Sequence, residues 1–163
     1  MLAYKFSLSP LRNINSFIAT NGKTINFESE ERLNGFGVSA CAVCDGFFYK
    51  GQEVVVVGAG DTAAEEATYL AKLCTKVTML VRKNYMKASK AMQHRVENTE
   101  NITVMFNSET DEILGDKVVE GVRVKNNLTG ETTWDKPEGF VEGTPVTEGD
   151  IPTWSEVLDP GTG

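Results

Sequence analysis

The sequence has a single histidine, His94, and three cysteines, Cys41, Cys44 and Cys74, in 163 residues. A structural zinc site needs four ligands, usually two cysteine pairs or cysteines with added histidines. One chain cannot assemble that set here unless copies share a site. An odd cysteine count is also poor for a secreted disulfide framework and fits a reducing cytosol. Basic charge is scarce: 16 Lys and Arg stand against 23 Asp and Glu, a net charge of −7. That balance argues against a nucleic-acid surface. No apolar run approaches the ~18 residues of a membrane span. The opening MLAYKFSLSPLRNINSF has no continuous apolar core and no small-residue cleavage site, so no secretory leader is expected. These absences together predict a cytoplasmic chain.

Regular structure is clearest after Gly51. Val54-Val55-Val56-Val57 is β-branched with no polar alternation, the pattern of a strand buried on both faces of a parallel sheet. Gly58-Ala59-Gly60 ends it. Thr62-Ala63-Ala64-Glu65 reads as a capping box, so a helix should begin there. Its small and apolar positions, Ala63, Ala67, Leu70, Ala71 and Cys74, share one stripe. Residues 76–82 (KVTMLVR) read as a second strand, 89–97 as a second helix and 102–106 (ITVMF) as a third strand. This β-α-β-α-β order predicts a parallel sheet with right-handed crossovers. Short strands at 110–114, 118–125 and 132–134, separated by turn residues, predict an antiparallel β-meander. Residues 17–20 offer a short strand in an otherwise poorly patterned N-terminal stretch. Residues 142–163 read as an irregular acidic tail.

Gly58-Ala59-Gly60-Asp61-Thr62-Ala63 fits G-x-G-x-x-A between a buried strand and a helix. Glycines there permit a tight turn and the close approach of a pyrophosphate, and the helix start supplies free N–H groups. NAD sites place an acid about 20 residues on, for the ribose hydroxyls. Here Arg82, Lys83 and then Lys87 stand near that position, with no acid. Three cations suit a 2′-phosphate, so NADPH is the expected nucleotide. Asp61 is an awkward neighbour for a pyrophosphate and reads as a helix cap.

Cys41-Ala42-Val43-Cys44 is the second constellation. A purely structural bridge is unusual in the cytosol, whereas C-x-x-C spacing suits a redox pair with one low-pKa thiol. Cys74 lies on the core stripe and reads as a buried small hydrophobe. Asp45, directly after Cys44, reads equally as a proton shuttle or as a turn residue before Gly46. Hydride moves two electrons as one unit while disulfide opening needs attack on sulfur, so a flavin normally stands between nicotinamide and dithiol.

The stretch GVSACAVCDGFF, then VVVVGAGDTAAEEATYLA, then VRKNYMKA, resembles the NADPH domain of low-molecular-weight, bacterial-type thioredoxin reductases. The resemblance runs from about residue 28 to 141. It implies an α/β fold of the FAD/NAD(P)-binding type, a Rossmann-like parallel sheet with helices on both faces plus the meander. It implies a route of electrons from NADPH through FAD to the dithiol and on to thioredoxin, in a homodimer. By match to the family's motifs, Cys44 is the flavin-proximal cysteine, Cys41 exchanges with thioredoxin and Asp45 donates or accepts the proton. Gly58, Gly60, Asp61, Thr62 and Ala63 take the pyrophosphate turn, and Arg82, Lys83 and Lys87 the 2′-phosphate. Val81 stands where that motif commonly has histidine, and lysine lacks arginine's bidentate fork. Residues 1–27 read as a degenerate remnant of the FAD domain and its linker, so FAD binding by this chain alone is not expected. A nucleotide-binding module without turnover and a cysteine metal-binding or interaction domain are the competing readings.

Overall fold

A computed structural model describes residues 28–132 and the backbone of residues 14–19. Five strands form one sheet in the order β2-β1-β3-β4-β5: β1 Ile14–Ala19, β2 Val38–Ser39, β3 Glu53–Val57, β4 Lys76–Val81 and β5 Ile102–Phe106. Every neighbouring pair is parallel. From β3 the chain winds outward through α3 (Asp61–Leu70), β4 and α4 (Lys90–Glu97) to β5. From β1 it winds the opposite way through α1 (Glu28–Arg32) to β2. The winding therefore reverses between β1 and β3, and an α/β sheet opens its ligand crevice beyond the carboxyl ends of strands at such a point.

The valine run of β3 is buried on both sides, as its composition predicts. Val54 and Val56 pack with Ala63, Ala64, Ala67 and Leu70 of α3. Val55 points the other way, toward Leu33, Leu80, Ile113, Val122 and Val124. Each such side chain contributes about 1.5–3 kcal/mol by leaving water. The two faces are covered differently. Helices α3 and α4 cover the first. On the second, one-turn α1 contributes little, and an antiparallel hairpin of β6 (Ser108–Leu114) and β7 (Gly121–Asn126) supplies most of the cover. Among the described residues the expected meander shows two strands and an antiparallel bridge from Lys125 to Thr132, the first residue of the third expected strand, whose other residues lie outside the described ones. Val118 falls outside β7, and Val119 instead donates its N–H to Phe36.

Two further expectations change. The N-terminal strand is longer than residues 17–20 and lies inside the sheet, between β2 and β3. Helix α3 starts two residues early, with Gly60 as its N-cap in extended backbone and no side-chain cap, so Thr62 is not the capping residue. The acidic tail at 142–163, and residues 1–13, 20–27 and 133–141, lie outside the described residues.

Candidate functional site

The glycine turn is built by backbone geometry. Gly58 adopts φ 152°, a conformation that side chains resist, while its N–H bonds to Leu80 across the sheet. The carbonyl of Ala59 accepts two N–H groups, from Lys87 at 2.7 Å and Ala88 at 2.9 Å. These bonds clip the loop after β4 onto the turn. Beside it opens a cleft of about 580 Å³, lined by Gly58 and Gly60, by Arg82, Lys83, Tyr85 and Lys87, and on its far wall by residues of the hairpin. Five of the expected nucleotide residues, Gly58, Gly60, Arg82, Lys83 and Lys87, therefore share one cleft.

Three others do not line it. Ala63 is buried in the core, and Thr62 is exposed in the first turn of α3. Asp61 does not cap α3. Its Oδ1 accepts the N–H of Ser89 at 2.9 Å, at the start of α4. Bonds from the Ser89 hydroxyl and backbone N–H hold the Asp61 carboxyl below its ordinary range. The carboxylate that seemed awkward for a pyrophosphate is thus tied to the next helix. Tyr85 is a residue that sequence reasoning missed. Lys83 Nζ lies 3.2 Å from its hydroxyl and 5.4 Å from its ring centroid. That hydrogen bond, followed by the lysine charge, lowers the Tyr85 hydroxyl from its usual value.

The dithiol stands apart from the cleft, as none of the cleft-lining residues is Cys41, Cys44 or Asp45. Cys41 and Cys44 form a disulfide with Cα atoms 5.3 Å apart. Cys41 is the N-cap of a single helical turn, α2 (Ala42–Asp45), and its Sγ accepts the Cys44 N–H at 3.2 Å. The turn runs into a 3₁₀ segment, Gly46–Tyr49, packed on α3. Gly46 makes that packing close: a Cβ there would sit 3.0 Å from both Leu70 Cδ2 and Tyr69 Cε1. Buried Ser39, at the end of β2, was not singled out in the sequence. Its hydroxyl donates to Asp45 Oδ2 at 2.6 Å and accepts the Cys41 N–H at 3.0 Å. Cys44 is exposed, and so are its neighbours Val43, Phe47 and Phe48, each about two-thirds or more open to solvent. Cys74 is buried, donates its thiol to the Tyr49 carbonyl at 3.3 Å and is pushed up to about 11 by desolvation.

Comparison with known proteins fits this arrangement. Residues 53–131 match the family described as pyridine nucleotide-disulphide oxidoreductase. That segment belongs to the pyridine nucleotide-disulphide oxidoreductases. The thioredoxin reductase of Mycolicibacterium smegmatis is 49% identical over 102 residues, covering 63% of this chain and 33% of that one. The solved thioredoxin reductase of Lactococcus lactis superposes with a TM-score of 0.67 at 39% identity, covering 71% of this chain and 39% of that one. For the Giardia duodenalis thioredoxin reductase the TM-score is 0.65 at 44% identity, with 72% and 39% covered. The chain therefore spans about a third to two-fifths of the length of these relatives.

Thioredoxin reductases use FAD and NADPH. NADPH fits the residues present: a glycine turn that lets phosphate approach, an uncapped helix start and a cleft carrying three of the expected cations. FAD has no matching cradle among the described residues, which hold one glycine turn joining a buried strand to a helix start. No step through FAD is derived from them.

Proposed function

We propose that this chain carries the NADPH-binding and dithiol part of a thioredoxin-disulfide reductase, with the nucleotide unit spanning residues 28–141. The observation that carries the reading is the position of two sites along α3. The cation-lined cleft opens at its N-cap, Gly60, and the Cys41–Cys44 disulfide, with Cys44 exposed, packs by way of Gly46 against its last turn. Ten helical residues rise about 15 Å, so the glycine turn and the dithiol lie at opposite ends of α3.

Bound NADPH would supply a hydride, a pair of electrons. The chain's own residues bind and position it. Gly58 and Gly60 admit the pyrophosphate to the first turn of α3, and Arg82, Lys83 and Lys87 neutralise the 2′-phosphate. At the other site, reduction of Cys41–Cys44 yields two thiols. Asp45 holds or releases the proton of the leaving sulfur, oriented by the Ser39 hydroxyl. The apolar rim of Val43, Phe47 and Phe48 suits a protein disulfide substrate of the thioredoxin kind. Thiol turnover of this kind belongs in the reducing cytoplasm.

A nucleotide module without turnover of its own is the second reading. It is favoured by the lack of a flavin cradle among the described residues. Titration of the purified chain with NADPH and NADH, together with a visible spectrum, separates the two. Flavin absorbance bleached by NADPH supports the reductase, and a colourless chain that binds NADPH supports the module. If Arg82→Ala with Lys83→Ala leaves NADPH affinity unchanged, the 2′-phosphate assignment is wrong.

A further inference from the structure

We propose that Lys125, on β7 and forty-two residues beyond Lys83, is a fourth cation of the 2′-phosphate subsite, delivered by the hairpin. The inference rests on reading the cleft as an NADPH site.

Lys125 lines the same cleft as Arg82, Lys83 and Lys87, from the hairpin. The two walls are fastened together. Asn107 donates its N–H to the Lys83 carbonyl at 3.1 Å, and the Asn127 side chain donates to the Arg82 carbonyl at 3.1 Å. Asn127 N–H in turn bonds to Asn107 at 2.7 Å. Asn107 reaches this position with φ 52°, a conformation asparagine tolerates better than most residues. Lys125 therefore sits two residues from a direct tie to the basic loop. These bonds hold the end of β7 against that loop.

Charge on the hairpin wall is arranged to leave Lys125 available. Asp111, which also lines the cleft, is paired with Arg123 at 2.5 Å, and Arg123 reaches Glu112 at 2.6 Å as well. Glu109 also lines the cleft and is the register partner of Lys125 across the hairpin, yet the two form no ion pair within 4.0 Å among the described residues. Half-buried Lys125 and the three loop cations share the cleft with two carboxylates, Glu109 and the Arg123-paired Asp111, so four cations outnumber two acids there and repel one another until an anion enters. A phosphate with about two negative charges removes that repulsion and gains four cations at once. NADH carries no such group on its adenosine ribose.

The test compares NADPH and NADH affinity of the full chain by titration, for the parent, Lys125→Ala, Lys125→Arg and the Arg82→Ala/Lys83→Ala pair. Lys125→Ala should weaken NADPH about fivefold, the scale of one solvent-screened charge contact, and leave NADH unchanged. Lys125→Arg should restore NADPH binding. Equal weakening of both nucleotides, or no change in either, overturns the role of Lys125. If the Arg82/Lys83 pair still abolishes the preference for NADPH in that case, the cleft reading survives and only Lys125 is removed from it. If the pair leaves the preference intact, the 2′-phosphate reading and the inference fall together.

Discussion

The Ser39 hydroxyl and the Asp45 carboxylate lie 2.6 Å apart, joining the end of β2 to the residue after the dithiol. The same oxygen accepts the Cys41 N–H. One buried hydroxyl thus holds both ends of the CxxC turn. Ser39→Ala leaves the Cys41 N–H and the Asp45 carboxylate without this partner, and the cost of such orphaned groups is about 1–3 kcal/mol. Urea unfolding of the oxidised chain should show a lower midpoint with an unchanged slope. A loss well under half a kilocalorie would mean that the turn holds itself.

Gly46 lets the dithiol turn lie against α3. Gly46→Ala places a methyl group 3.0 Å from Leu70 and Tyr69 side-chain atoms, so those side chains must give way. Overpacking of this kind costs about 1–3 kcal/mol. A lower thermal midpoint, with NADPH affinity kept, is the expected outcome because the cleft lies at the far end of the helix. A variant as stable as the parent would show that α3 side chains yield without strain.

Cys74 should be chemically silent. With its thiol pushed up to about 11, only about a thousandth is thiolate at pH 8, and the sulfur is buried. Reduced native chain treated briefly with iodoacetamide should gain two carbamidomethyl groups by mass spectrometry, on Cys41 and Cys44. Labelling of Cys74 at a similar rate contradicts its burial. Labelling of all three is expected only in denaturant.

Glu66 should make stability depend on pH. Burial raises its carboxyl above the ordinary 4.5, the Ala42 N–H bond opposes this, and the neighbouring Glu65 charge adds to it. Its Oε2 has no hydrogen-bond partner among the described residues. A raised folded-state value means the native chain binds this proton more tightly than the unfolded chain. The favourable contribution is complete below about 4.5 and is lost as pH rises through the folded value. Glu66→Gln removes the ionisation, so its stability advantage over the parent should grow from about pH 4 to about pH 8. Parallel stability curves over that range would refute the effect.

What the sequence by itself determined is local. A valine run buried on both faces, a glycine turn before a helix, cations nineteen residues beyond Ala63 and two cysteines three apart are patterns within short windows. The glycine turn and the disulfide follow from them, because a turn or a CxxC ring depends on adjacent residues.

Tertiary structure alone decided the partners. Asp61 reads as a cap in the chain, yet it bonds to Ser89, twenty-eight positions away. Ser39, Lys125 and Glu66 carry no motif. Each is placed by sheet order, by hairpin register or by helix packing, which bring together residues with no shared periodicity. The β6–β7 hairpin shows why. Its valines predict strands, but nothing in their spacing says that the hairpin covers one face of the sheet and brings a lysine to the nucleotide cleft. That placement depends on long-range burial and on the asparagine ties to Arg82 and Lys83, contacts that exist only once the chain is folded.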